Sequence, residues 1–164
     1  MNLPEKALSV RQPWAWAIMF AGKDVENRSW QAMNHGLNVR GRIALHAAQG
    51  MTRKEYEAAA EFMASIGVEC PPAIDLWRGA IIGTVEIVDA VKKSDSPWFF
   101  GPRGLVLANP QSFVPAPVSG CLGFFNWQER RVSEFPAPAK WMLPNQTPRV
   151  PTETQPSLFE STED

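Results

Sequence analysis

Gln12, Trp14, Lys23, Glu26 and Arg28 are gathered within the stretch Leu8–Trp30. An amide, an aromatic plane and a Lys/Glu/Arg cluster are suited to hold a planar polar ligand, and a nucleobase has that chemistry. A second aromatic group, Trp98, Phe99 and Phe100, follows in the loop Ser94–Gly104. Together with Trp14 these rings can stack on bases, worth about 1–3 kcal/mol per base. Gln12 and Glu86 can read a Watson–Crick edge by hydrogen bonds, as in pockets for flipped-out bases. Arg28, Arg40, Arg42 and Arg103 can hold phosphates. The alternative chemistry is hydrolytic. Lys23, Glu26, Glu86 and His46 are residue types that can serve as nucleophile, proton shuttle or general acid and base.

Period-two alternation sorts these side chains. Glu26, Arg28 and Trp30 share one face of their strand. Arg42, Ala44 and His46 share a face opposite Ile43 and Leu45. Glu86 falls on the face of Ile82, Thr84 and Val88, a carboxylate in an apolar strand that must be paired or solvated. Alternation by itself favours a structural ion pair, Glu26–Arg28 or Glu86–Arg28, over a functional one. Trp14 and Trp16 on a short helix read first as core, and His46 alone reads first as a satisfied core histidine.

The elements that must position these residues are legible. Ala7–Val10 reads as a strand. Pro13–Ala21 is a helix opened by proline and closed by Gly22. Asp24–Trp30 and Arg40–Ala47 are strands. Thr52 caps a helix running to about Ile66, with Glu55 in capping-box position. Gly79–Val91 is the strongest strand, rich in β-branched residues. Leu105–Ala108 and Val118–Trp127 are further strands. The pattern predicts an α+β, mainly β fold: a β-barrel with two or three peripheral helices and an extended C-terminal tail.

The 164 residues suit one domain, placed at 1–130. Residues 131–164 form a tail in which Ser133–Asp164 carries six prolines. Such a segment buries too little apolar area to order itself, although Phe135 and Trp141 can dock onto the barrel. Sixteen basic against seventeen acidic residues give a net charge of −1, which argues against coating nucleic acid through many phosphates. A local contact in a pocket is compatible with that balance. Cys70 and Cys121 have no metal-ligand spacing, and Cys121, in the run Cys121–Phe125, reads as a small core residue. A disulfide between them is disfavoured in a cytoplasmic chain. No signal peptide or long apolar stretch is present, so the reading is a soluble, cytoplasmic monomer without membrane contact and without cofactor or metal. Gln155-Pro-Ser-Leu-Phe159 is similar to the peptide that binds the bacterial sliding clamp, with Gln155, Leu158 and Phe159 as anchors and Pro156 in place of the usual Leu.

The blocks Ala7–Trp14 and Ala21–Trp30 resemble the signature of ASCH (activating-signal-cointegrator homology) domain proteins, which are related to PUA-like domains. The resemblance continues through Arg40–His46, Gly79–Asp89, Ser96–Pro102 and Gly120–Trp127, in the family's order. It implies a PUA-like barrel with a cleft formed partly by the first helix and the following strand. It also implies binding of RNA, DNA or a modified nucleoside. One group of relatives is similar to amidohydrolases of N4-acetylcytidine that use a Lys, a Thr three residues later and a distant Glu; other members are ribonucleases. Lys23 and Arg28 match that group's frame. Glu26 stands in the Thr position, and the distant Glu has no counterpart in this chain.

Overall fold

The computed structural model describes residues 3–30 and 36–144. Six strands form one sheet: β1 (Lys6–Val10), β2 (Val25–Arg28), β3 (Gly41–Ala47), β4 (Ala80–Val91), β5 (Arg103–Pro117) and β6 (Phe124–Asn126). Their order is β2-β5-β4-β3-β1-β6, and the sheet curls into half a barrel. Every neighbouring pair is antiparallel except β1 and β3, which run parallel. With helices α1 (Trp14–Phe20) and α2 (Arg53–Ser65), the fold is the expected mainly-β α+β barrel.

Alternation gives the sheet two apolar faces. Leu8, Val10, Ile43, Leu45, Val85, Ile87, Leu105 and Leu107 pack against Ala15, Ile18 and Met19 of α1. On the opposite face Ala7, Ala44, Ile81 and Val118 surround the buried Trp127. Arg42 and His46 lie on this second face, since they alternate with Ile43 and Leu45. Along β4 the simple period fails. A register shift at Ile82, present toward both neighbouring strands, breaks the alternation. Ile82 therefore joins the α1-facing core, while Thr84 and Glu86 stay on the other face. The expected sharing of a face by Ile82 and Glu86 is corrected by a bulge, which inserts one residue and inverts all that follows.

The Gln12 side chain opens α1 by accepting the Trp16 N–H at 2.9 Å. Gly22, at φ +75°, ends it in the left-handed conformation that glycine takes without a Cβ penalty. Thr52 and Glu55 make the capping box of α2, each side chain accepting the other's N–H at 3.1 Å. The inner side of α2 meets Trp98 and α1 in a third apolar cluster through Met63 and Phe62.

Strand β5 differs most from expectation. It continues from Arg103 to Pro117 through Pro110 and Pro115, where the sequence reads as loop. β2 pairs only with Arg103–Val106, so the rest of β5 has β4 on one side and an open edge on the other. Prolines are tolerated on such an edge because no neighbour needs their N–H. Conversely, residues 119–123 leave the sheet, and Cys121 is exposed on a loop rather than part of a strand core. Both cysteines are free. After Arg131, which bridges to Val118, the chain runs along the domain. Phe135 meets Trp77, Trp141 meets Tyr56, and Arg78 donates to the Ala137 carbonyl at 3.0 Å.

Candidate functional site

A line of polar contacts runs from the end of α1 across the gap between β2 and β1. Turning after Gly22, the chain brings the Lys23 N–H to the Ala17 carbonyl at 3.1 Å. This tucks the Lys23 side chain inward, leaving the residue 3% exposed. Its ammonium donates to the Val25 carbonyl and to Glu26 Oε1, the latter at 3.2 Å, and lies 5.7 Å from the centre of the Trp14 ring. Glu26 Oε2 meets the Arg28 guanidinium at 3.2 Å. Arg28 in turn donates to the Ser9 carbonyl of β1 at 3.0 Å and packs 5.1 Å from the Trp30 ring. β1 pairs with β6 only as far as Leu8, so the Ser9 carbonyl lies just beyond that ladder. On the same residue, the Ser9 hydroxyl lies 2.9 Å from His46 Nδ1, and His46 Nε2 lies 2.8 Å from the Val118 carbonyl. A carbonyl only accepts, so Nε2 carries the hydrogen and Nδ1 accepts from Ser9. Burial, aided by the charge of Arg130, holds the imidazole below its ordinary value; the Val118 hydrogen bond opposes that shift.

Two cations share the Glu26 carboxylate, and both are largely shielded from water. A buried ion pair of this kind is held by geometry, and removing one partner leaves an uncompensated charge. The pairing is not complete. Arg28 Nε is buried and has no hydrogen-bond partner among the described residues. The residue directly opposite Arg28 across the β2–β5 ladder is Arg103, whose guanidinium contacts the Pro102 carbonyl at 3.5 Å. Like charges directly opposite in an antiparallel pair are unfavourable unless something negative lies with them. Lys23, Arg28 and Arg103 against Glu26 thus leave a cationic excess with an unused donor, an arrangement able to receive an anion such as a phosphate.

The other residues singled out from sequence divide into groups. Glu86 does not join Lys23, Glu26 and Arg28. It accepts from Asn109 Nδ2 at 3.0 Å on the opposite sheet face, beside Arg42, which donates to Thr84 Oγ1 and the Asn109 carbonyl. Asn109 is at φ 54°, and this cluster holds that turn of β5. Arg40 donates to the Leu37 and Val39 carbonyls. Gln12 is buried with both ends of its amide used, by the Trp16 N–H and the Trp77 carbonyl, so no edge remains to read a base. Trp98, 4% exposed, is enclosed by Trp14, Phe62 and Met63 and is core rather than a stacking platform. Phe99 lies half-buried against Gly101 and Gly104. Phe100 is 59% exposed, and its neighbour Trp14 is half-buried. These two rings stand at the edge of the Lys23 cluster. His46 is fully buried on the far face. Gln155, Leu158 and Phe159 lie outside the described residues.

Two positions escaped sequence reasoning. Asn27 accepts the N–H groups of Phe100 and Gly101 and donates to the Trp98 carbonyl, so it fastens the aromatic loop to β2. An asparagine inside a strand, where its type is depleted, was the available signal. Ser9 becomes the cross-strand neighbour of His46 only through the parallel β1–β3 register, which no local pattern announces. Among the described residues no group of three or more His, Cys, Asp or Glu side chains is placed to hold a metal, and no helix is long and apolar enough to cross a membrane.

No family model matches the chain. Among curated proteins, it is similar to human Activating signal cointegrator 1, with 29% identity over 127 residues. That alignment takes in 69% of this chain, which spans only a fifth (20%) of the human protein. The cointegrator carries the ASCH domain, so the match marks an ASCH-like relationship.

Proposed function

We propose that the chain is a nucleic-acid-binding domain of the ASCH type, taking RNA, DNA or a modified nucleoside at the Lys23–Glu26–Arg28 cleft. The observation that carries this reading is the Nε of Arg28, without a partner among the described residues, beside the opposing Arg103. A backbone phosphate supplies the negative charge and the acceptor that the protein leaves out. Phe100 and Trp14 at the cleft edge supply a surface on which a base can stack. A few such contacts agree with a chain of net charge −1.

The test is fluorescence anisotropy with labelled single-stranded RNA and DNA oligonucleotides over a salt series. Arg28→Gln and Arg103→Gln are each expected to reduce the slope of log K against log salt by about 0.7–0.9, the contribution of one phosphate contact. Unchanged slopes in both variants would remove the reading.

The hydrolase alternative has weaker support. Both contacts of Lys23 Nζ use its N–H bonds as donors, which does not present a nucleophilic lone pair to a substrate. Turnover of N4-acylcytidine or RNA that disappears in Lys23→Ala would reverse that preference. The tail peptide Gln155–Phe159 is proposed to bind a bacterial sliding clamp. Equal recovery of wild type and the Leu158→Ala/Phe159→Ala variant in a clamp pull-down would dismiss it.

A further inference from the structure

We propose that Ser9 and His46 form a second site, a nucleophile–base pair that hydrolyses small carboxylic esters in the groove beneath residues 119–122. It lies on the sheet face opposite the core packed under α1.

The pair arises from register. Ser9 and His46 are direct partners in the parallel β1–β3 ladder, so both side chains emerge on one face. The Ser9 hydroxyl donates to His46 Nδ1 at 2.9 Å, and the Val118 carbonyl fixes the other ring nitrogen at 2.8 Å. Nucleophile, base and orienting acceptor are therefore in the order that activates a hydroxyl. The Phe125 ring meets the imidazole edge-on and restrains its tilt.

Both residues line an open groove of about 360 Å³ with Gln49, Gly120 and Cys121. A Cβ at Gly120 would stand 2.6 Å from the imidazole, so only glycine lets this loop cross so closely. Arg130 pins the loop by donating to the Ser119 and Gly120 carbonyls at 2.9 and 2.7 Å. The N–H groups of Gly120 and Cys121 have no acceptor among the described residues. Free backbone donors beside a nucleophile are what a developing oxyanion needs.

The reaction balances without a cofactor. The Ser9 oxygen bonds to the ester carbonyl carbon as its proton passes to Nδ1. The C–O bond to the alcohol then breaks, and the alcohol leaves with that proton. A water molecule attacks the acyl-serine, again giving a proton to Nδ1. The acid departs, and the Ser9 oxygen takes the proton back. A groove of this size admits short acyl chains.

The test uses a fluorophosphonate probe and p-nitrophenyl acetate on the full chain. Cys121→Ala is the background, so that acylation of the exposed thiol is not counted. The expected result is a single adduct mapped to Ser9 by mass spectrometry. Ester turnover is expected to fall about 100-fold or more in Ser9→Ala. Because His46 is buried, His46→Gln can cost folding; Ser9→Ala, checked by an unchanged melting curve to within a few degrees, keeps the test decisive. Adducts only at other residues, or equal turnover with and without the Ser9 hydroxyl, would overturn the proposal. Arg28 uses the backbone carbonyl of Ser9, which Ser9→Ala retains, so nucleic-acid binding stands or falls separately.

Discussion

Arg28 with Glu26 and Arg42 with Glu86 are the same chemistry on opposite faces of one sheet, yet the two clusters differ in closure. Arg42 donates to a threonine hydroxyl and a backbone carbonyl, and the neighbouring Glu86 accepts from Asn109. These hydrogen bonds hold the β5 turn, and among the described residues no buried donor or acceptor of Arg42 or Glu86 lacks a partner. Arg28 meets a carboxylate already engaged by Lys23, keeps a buried N–H without an acceptor, and faces a second arginine. Residue type and charge do not separate a structural cluster from a receptive one. The balance of donors and acceptors does.

The largest expected effect extends this contrast to the aromatic loop, where Trp98 is closed in and Phe100 is open. Trp98→Ala should lower unfolding free energy by about 3–5 kcal/mol in urea denaturation, as expected of a large core aromatic, whereas Phe100→Ala should cost less than about 1 kcal/mol. Phe100→Ala should instead weaken oligonucleotide binding. Equal destabilisation by the two would erase the distinction. Next come the carboxylates. Glu26→Gln leaves the buried Lys23 and Arg28 without their counter-charge and should cost about 3 kcal/mol, against about 1 kcal/mol or less for Glu86→Gln. In binding, Arg28→Gln should reduce oligonucleotide affinity roughly 10-fold, about 1.4 kcal/mol, while Arg42→Gln leaves it unchanged. A parallel loss in both would mean that the closed cluster also touches the ligand.

The smallest effect concerns His46. Its folded value is held below that of an unfolded histidine, so the native state resists protonation. The contribution is fully present above about pH 6.5 and is lost as pH falls from there toward the folded value. Melting temperature should therefore be flat from pH 8 to 7 and decline below about 6.5. The charge of Arg130 adds to the depression, so removing it should raise the folded value and make the decline smaller. A melting temperature that stays flat to pH 5 would show that His46 does not titrate differently on folding.

Much of the fold was legible because its signals are local. Thr52 and Glu55 announce a helix start within four positions, and Gly22 announces a stop. The β5 extension was hidden because a proline is a strand breaker only when a neighbouring strand needs its N–H, and the edge position of residues 109–117 is a property of the whole sheet. Glu86 was assigned the wrong neighbour because one bulge reverses a period-two pattern. The Lys23–Glu26–Arg28 grouping could be read from spacing in a turn and one strand. Gln12 and Trp98 could not be placed, since the Trp77 backbone carbonyl and side chains of α2 decide what remains exposed. The Ser9–His46 contact depends on which strands neighbour each other, beyond any window along the chain.

The first strand takes the fifth place in the sheet, and the last strand zips its outer side, with the Trp127 indole donating to the Pro4 carbonyl at 2.7 Å. During synthesis β1 leaves the ribosome first but waits for both β3 and β6 before either of its edges is covered. The outer edge of β1 is thus covered only after residues near 127 have emerged. Nascent chains halted before that point would carry the Lys23–Glu26–Arg28 cluster beside a first strand whose outer edge is still open.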